Sequence, residues 1–148
     1  MSINTELQGS AYPPAAPYQV GREKLREFAL AVGATHPVHT DIDAAHAAGH
    51  ADLVAAPTFA VIIAQQAEAA YITDPASGID FSRVVHAEER FTHHRPIVAG
   101  DEITATVHVD RARAVGTGGM VTTRTELVDA AGEPVSTVLS TLMVRGED

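Results

Sequence analysis

The sequence predicts an α+β domain in which an antiparallel sheet wraps around one central helix. Other α+β folds with a small curved sheet fit the same pattern. The first observation is the segment 58–64, which is apolar on every side and therefore typical of a helix buried all round. The second is a change of period after residue 80, where apolar and polar residues alternate as they do in strands with one buried face. Glycine-containing turn segments separate these strands, which favours antiparallel hairpins.

Length and composition restrict the classes of protein. The 148 residues, 45% of them hydrophobic, suffice for one domain with a substantial core. The absence of cysteine excludes disulfides, thiolate zinc sites and cysteine nucleophiles. A net charge of −9 argues against a nucleic-acid partner, because neutralising phosphates requires clustered Lys and Arg. The longest apolar run, residues 53–64, is too short to cross a membrane, and residues 1–10 lack a signal-peptide pattern, so we expect a cytoplasmic protein.

The chain is predicted to consist of an arm and one domain. Residues 1–17 contain three prolines and are typical of an extended or loosely packed arm. Residues 18–148 form the single domain, with a possible first strand at residues 18–20.

Three helices are predicted before residue 80. Residues 22–32 carry apolar side chains at i, i+3, i+4 and i+7, the pattern of an amphipathic helix, and Gly33 ends it. Residues 43–48 form a short helix, bounded by an acidic N-terminal residue and by Gly49. The central helix begins at Pro57, a favoured first-turn residue, and runs to about Tyr71.

Four antiparallel strands are predicted after residue 80, and three of them have a clear pattern. Apolar and polar residues alternate in 103–110 and in 121–127, and residues 135–144 are rich in β-branched side chains. The turns between strands lie at residues 99–101, 116–119 and 129–132. A sheet that curls around one helix leaves a long edge strand exposed, so we expect it to pair with a second copy or a homologous subunit.

Residues 33–41, GATHPVHTD, carry most of the chemical information in the chain. This segment resembles the active-site loop of the MaoC-like (R)-specific hydratases and dehydratases, whose pattern is Gly-Asp-x-Asn-Pro-x-His-x-Asp. The resemblance places His39 on the catalytic histidine of the pattern. Ala34 stands where the family has its catalytic aspartate, and His36 replaces the asparagine. The segment therefore points to the family and, at the same time, to an incomplete active site.

The resemblance extends from about Tyr12 to Val144. The subgroup it matches resembles the N-terminal half of MaoC dehydratases and the substrate-holding subunit of the actinobacterial β-hydroxyacyl-ACP dehydratases. The supporting segments are residues 18–28 (YQVGREKLREF), 56–59 (APTF) and 85–91 (VHAEERF). The resemblance implies a hot-dog fold, a substrate that is an acyl thioester of coenzyme A or acyl carrier protein, and no cofactor. It also implies a homodimer or a heterodimer with a homologous hot-dog subunit.

Dehydration of a 3-hydroxyacyl thioester requires a base for the α-proton, an acid for the leaving hydroxyl, and stabilisation of an enolate-like oxygen. His39 is the candidate acid–base residue because it matches the motif and histidine titrates near neutral pH. Alternatively, without its aspartate it lines a pocket or bonds the loop backbone, since Ala34 cannot transfer a proton. His36 is a weak second candidate whose alternative role is bracing the loop. Asp41 is expected to cap the following short helix.

The resemblance also assigns substrate-binding positions. The His-Gly pair that active members carry after the helix-initial proline is Ala60-Val61 here, so the glycine that lets substrate approach is absent. Backbone N–H groups of Phe59 to Val61 at the helix N-terminus remain candidates to bind the thioester oxygen. Phe59 also fits core packing, and His86 fits a solvated strand edge. The substrate-binding candidates are Pro57, Thr58, Phe59, Ala60, Val61, His86 and Phe91.

Two groups of basic residues are candidates for docking a carrier protein or the phosphates of coenzyme A. The first group is Arg90, His93, His94 and Arg95, and the second is Arg22, Lys24 and Arg26. The alternative for both is a solvated face. The eight histidines form no His-Glu-x-x-His helix and no carboxylate triad, so we expect no native metal site.

Three functions remain open at the level of sequence. In the first, the chain is a subunit of a (3R)-hydroxyacyl-thioester dehydratase: it shapes the acyl tunnel while a homologous partner with an intact Asp and His performs the chemistry. In the second, it is an acyl-binding or scaffold module without turnover. The third is a hot-dog thioesterase, which needs a carboxylate on the central helix, where Glu68 is the sole acidic residue.

Overall fold

The computed structural model describes residues 2–147 and contains one five-stranded antiparallel sheet that curls around a helix. The helices are α1 (Arg22–Val32), α2 (Ile42–Ala47) and α3 (Ala60–Ile72), and the strands are β1 (Tyr18–Gln19), β2 (Val84–His93), β3 (Glu102–Val115), β4 (Gly118–Val128) and β5 (Pro134–Val144). The strand order is β1-β3-β4-β5-β2, and all neighbours are antiparallel. This is the hot-dog arrangement, so the predicted fold class is confirmed.

The core lies between α3 and the concave face of the sheet. Ala60, Ala64 and Ala67 of α3 are buried, and their small side chains let the strands approach the helix closely. Strands β3, β4 and β5 alternate buried and half-buried residues, so one face of each packs against α3. The all-round apolar character of α3 thus follows from enclosure by the sheet.

The central helix begins at Ala60, three residues later than its sequence predicts. Residues 57–59 form tight turns instead, in which the Phe59 N–H donates to the Ala56 carbonyl at 2.9 Å. The Val61 N–H donates in the same i→i+3 manner to the Thr58 carbonyl at 3.1 Å. The first turn is therefore wound more tightly than an α-helix, a common arrangement at helix ends.

The N-terminal arm is fixed along the outer edge of β3. The N–H groups of Gly9, Tyr12 and Ala15 donate to carbonyls of β3 at 2.8, 3.1 and 2.9 Å. Strand β1 continues this cover, with Tyr18 opposite Ile103. At the other side of the sheet, β2 pairs with β5 alone among residues 2–147, so its outer edge is available to a further strand.

Candidate functional site

The motif loop is held at both ends by local backbone geometry. Gly33 ends α1 with φ of 71°, a left-handed conformation that favours glycine. The His36 Nδ1 then accepts a hydrogen bond from the Val38 N–H at 3.2 Å and caps the single 3₁₀ turn Pro37–His39. Asp41 caps α2 by accepting from the Asp43 and Ala44 N–H groups. The geometry therefore places His36 as a brace for the loop.

His39 is the buried side chain of this loop, with 8% of its surface exposed. Its Nδ1 lies 2.7 Å from the Val54 carbonyl oxygen. Because a carbonyl only accepts, Nδ1 carries the proton, and the neutral ring keeps a lone pair on Nε2. The Val54 N–H in turn donates to the Val38 carbonyl at 2.9 Å, which ties the two segments together. His39 is thus held in one tautomer with a basic nitrogen available.

His39 lines a cavity of about 430 Å³ that is bounded by two further segments of the chain. One segment is the turn before α3, including Pro57, and the other follows the end of β2. The lining residues are His39, Val54, Ala55, Ala56, Pro57, His93, His94, Arg95, Pro96 and Ile97. No aspartate or glutamate is among these lining residues, and Ala34 offers only a methyl group.

His93 lines this cavity from the end of β2, although its sequence position indicated carrier docking or a solvated face. Its Nε2 donates to the Pro57 carbonyl at 2.7 Å, and its Nδ1 lies 2.8 Å from the Ser136 hydroxyl. Both ring nitrogens are therefore occupied by neighbouring groups. Phe91 stacks on the His93 ring, with centroids 5.9 Å apart. The 36 residues that separate His93 from Pro57 explain why no local pattern reveals this contact.

The substrate-binding candidates at the start of α3 are divided between cavity and core. Pro57 lines the His39 cavity. Phe59 is fully buried and packs edge-on against Tyr18 and Phe28, so its ring belongs to the core and does not line the cavity. Thr58 is exposed, Ala60 is buried and Val61 is half-buried. The N–H groups of Phe59 and Val61 are taken up by turn hydrogen bonds, which removes them as free donors to a thioester oxygen.

His86 lies at a second cavity, of about 530 Å³, beside the C-terminal half of α3. Its Nε2 donates to Glu89 Oε2 at 2.5 Å. Glu68 lines the same cavity, is almost fully buried, and accepts a hydrogen bond from the Thr123 hydroxyl at 2.8 Å. Burial raises the pKa of Glu68 above its ordinary value. The structure therefore separates His86 from the His39 site.

The arginines and the lysine of the two basic groups each pair with a neighbouring carboxylate, and their role in docking stays a prediction. Arg90 pairs with Glu88 at 2.6 Å, and Arg95 pairs with Asp101 at 2.8 Å and Asp129 at 3.3 Å. The pairs of the second group are Arg22–Asp52, Lys24–Glu27 and Arg26–Glu23. The hydrogen bond from Arg22 lowers the pKa of Asp52 to about 2. Neighbouring carboxylates thus neutralise the positive charge that the sequence concentrates locally.

The described residues hold no cluster of three or more histidines and carboxylates placed to bind a metal ion. Across residues 2–147, no helix is long and apolar enough to cross a membrane.

Comparisons with known proteins agree with this fold. A family model described as the FAS1-like dehydratase domain region matches residues 7–138. A UPF0336 protein from Clavibacter michiganensis is 55% identical over 148 residues, covering 100% of this chain and 99% of the relative. A second UPF0336 protein, from Leifsonia xyli, is 51% identical over 146 residues, covering 99% and 98%.

Solved structures of dehydratases share the architecture. A MaoC-like dehydratase superposes with a TM-score of 0.85 at 35% identity, covering 96% of this chain but 43% of that longer chain. The C-terminally truncated HadBC (3R-hydroxyacyl-ACP dehydratase) complex from Mycobacterium tuberculosis gives 0.82 at 32% identity, covering 94% and 98%. The unliganded R-hydratase PhaJ1 from Pseudomonas aeruginosa, at 20% identity and a TM-score of 0.68, shares the fold. This chain therefore belongs to the family of FAS1-like dehydratase domains, which have the MaoC-like hot-dog fold.

Proposed function

We propose that this chain is one subunit of a (3R)-hydroxyacyl-thioester dehydratase, which in the reverse direction is an enoyl hydratase. The enzyme acts on acyl groups carried by coenzyme A or acyl carrier protein. The observation that carries the proposal is the His39 cavity, which offers a positioned base but no carboxylate. In this assembly the chain shapes the acyl-binding tunnel. A homologous partner with an intact Asp and His performs the acid–base chemistry, and a cytoplasmic location is part of the proposal.

The chemistry explains why this cavity alone is insufficient. The His39 Nε2 can accept a proton, but expelling a hydroxyl as water also needs an acid near the leaving group. Ala34 cannot supply one. His93 does not replace it, since its two nitrogens are engaged by Pro57 and Ser136. One half of the acid–base pair is therefore present in this chain.

The free edge of β2 supports a hot-dog partner. A strand of ten residues with one side unpaired within residues 2–147 presents backbone donors and acceptors to a second chain. The HadBC relative, at 32% identity, is itself a 3R-hydroxyacyl-ACP dehydratase complex. We infer that this chain pairs along β2 with a homologous subunit or with a second copy of itself.

The test is the hydration of crotonyl-CoA by the purified chain alone and together with a homologous subunit that carries the intact Gly-Asp-x-Asn-Pro-x-His pattern. We expect the chain alone to be at least about a hundredfold slower than the pair, because one acid–base group contributes about 10²–10⁴-fold. Ala34→Asp should raise the activity of the chain alone. Ala130→Asp, on the exposed β4–β5 turn, is the matched control and should change nothing. A family-typical rate from the unmodified chain alone would contradict the proposal.

The second candidate function is a non-catalytic acyl-binding or scaffold module. The lack of any carboxylate among the lining residues of the His39 cavity favours it. It differs from the first proposal in one measurable respect, since it predicts no turnover with any partner. A hot-dog thioesterase is disfavoured, because Glu68 is almost fully buried, bonds Thr123 and lines the cavity away from His39.

A further inference from the structure

The second cavity combines an apolar wall with a buried polar end. Its volume of about 530 Å³ is ample for a medium-length alkyl chain. The apolar wall consists of Ile72, Phe81, Val84 and Leu142. None of its lining residues is a lysine or an arginine.

Glu68 forms the polar end of this cavity. Its side chain, on α3, accepts from the Thr123 hydroxyl at 2.8 Å and is also hydrogen-bonded to Ser140. The Ser140 hydroxyl lies 3.3 Å from the His86 Nε2, which itself binds Glu89. Four strand residues thus surround one buried carboxyl group with hydroxyls, an imidazole and a second carboxylate. Burial and the charge of Glu89 both raise the pKa of Glu68, which favours its neutral form.

The position of the cavity fits the far end of a chain whose thioester lies in a partner. Two copies that pair antiparallel along β2 place the first half of one strand beside the second half of the other. His86 lies in the first half of β2, and His93, at the His39 cavity, ends the second half. In the proposed pairing, the second cavity of one subunit would therefore face the half of β2 at which the His39-type cavity of its partner opens.

We propose that this cavity receives the distal end of the acyl chain and that Glu68 makes it selective for chains that end in a hydroxyl group. The assumption that the ligand is an acyl chain rests on the proposed function above. A plain methyl end would pack against the carboxyl group of Glu68 without offering it a hydrogen bond. A hydroxyl both donates and accepts, so it satisfies Glu68 and its neighbours. A carboxylate end is repelled by Glu89 and by ionised Glu68.

The test measures binding and needs no turnover. Isothermal titration calorimetry of the purified protein, in the oligomer it forms, compares acyl-CoAs of six to twelve carbons with methyl, ω-hydroxyl or ω-carboxylate ends. We expect the hydroxyl-ended chain of at least one length to bind about tenfold more tightly than its methyl counterpart, the equivalent of one net hydrogen bond of about 1.4 kcal/mol. The carboxylate-ended chains should bind weakest.

Two substitutions assign the selectivity to Glu68. Glu68→Leu should abolish the hydroxyl preference, while Glu68→Gln, which keeps shape and hydrogen bonding, should keep it and weaken the discrimination against carboxylate. Glu133→Leu, at the exposed β4–β5 turn, is the control and should alter neither. If Glu68→Leu fails to fold, the loss of carboxylate discrimination in Glu68→Gln decides the question.

The outcomes separate this inference from the proposed function. Equal binding of methyl and hydroxyl ends at every length would overturn the inference and leave the acyl-binding function standing. An unchanged preference in a folded Glu68→Leu would also overturn it. Failure of every acyl-CoA to bind would overturn both.

Discussion

At the scale of single residues, His39 carries what acid–base chemistry this chain retains. His39→Ala should abolish the residual turnover of crotonyl-CoA by the chain alone, because no other side chain matches a catalytic position of the motif. The substitution also leaves the Val54 carbonyl without its donor, so the free energy of unfolding should fall by about 1–3 kcal/mol. The motif alone does not reveal this cost, because it does not show that His39 is buried. Initial rates and urea denaturation measure the two effects.

His36→Asn is the matched control for this experiment. Asparagine restores the family letter, and its side-chain oxygen can accept from the Val38 N–H as His36 does. Activity and stability should therefore be unchanged or improved. Turnover that survives His39→Ala, both alone and with an intact partner, would make His39 a structural residue and leave this subunit with the tunnel alone.

Tyr71 offers a separate test of packing in the core. Its hydroxyl is buried and has no hydrogen-bond partner among the described residues, while its ring stacks on Tyr12. Tyr71→Phe keeps the stacked ring and removes the unsatisfied hydroxyl, so the free energy of unfolding should rise by about 1 kcal/mol. Tyr12→Phe is the control with the opposite sign, since the Tyr12 hydroxyl donates to Asp74 at 2.7 Å. Destabilisation by Tyr71→Phe in urea titrations would contradict this account.

Glu68 makes stability depend on pH in a predictable direction. Burial raises its pKa in the folded protein above the ordinary 4.5, so the folded state holds the proton more tightly than the unfolded state does. The contribution to stability is full below pH 4.5 and is lost as pH rises through the higher folded value. Glu68→Gln cannot ionise, so wild type should lose stability relative to this variant as pH rises from 4.5. Urea denaturation between pH 4 and pH 8 measures the difference. A difference independent of pH would contradict the prediction.

At the scale of elements, periodicity predicts much of the fold. The Arg22–Val32 helix and the strands β3, β4 and β5 follow from apolar spacing and turn residues alone, as the structure confirms. The start of α3 is less predictable, because Pro57 is compatible with the first turn of a helix and with the tight turns that actually precede Ala60. Element type is therefore fixed locally, whereas the bounds depend on tertiary contacts.

Strand β2 shows why the site was harder to predict than the fold. A β-bulge between His86 and Glu88 inserts Ala87 as an extra residue. One inserted residue reverses the alternation of faces, so His86 and Glu89 both face α3, whereas Glu88 and Arg90 face away. Simple alternation would have grouped His86 with Glu88 and Arg90. This reversal separates Glu88 and Arg90 from His86 and places Glu89 beside His86.

At the scale of the whole molecule, one edge of the sheet is covered and the other is not. The N-terminal arm and β1 cover the edge at β3 through hydrogen bonds that no local pattern in residues 1–17 reveals. The ten residues of β2 have no such cover within residues 2–147. An open edge of this length is a site for pairing or for aggregation. The asymmetry therefore favours association through β2 and disfavours association through β3.

We accordingly expect the purified protein to be a dimer at micromolar concentration, with one continuous sheet and the two α3 helices near the interface. Phe81, which precedes β2, is 71% exposed in the single chain and should be covered by the partner. Phe81→Lys should weaken association at least tenfold, because burying a phenyl group contributes about 2 kcal/mol. Leu30→Lys is the control, since Leu30 is 78% exposed but lies on α1 and not at the β2 edge of the sheet. Light scattering and sedimentation measure both variants. A stable monomer of the unmodified chain, or equal effects of the two substitutions, would place the partner surface elsewhere than β2.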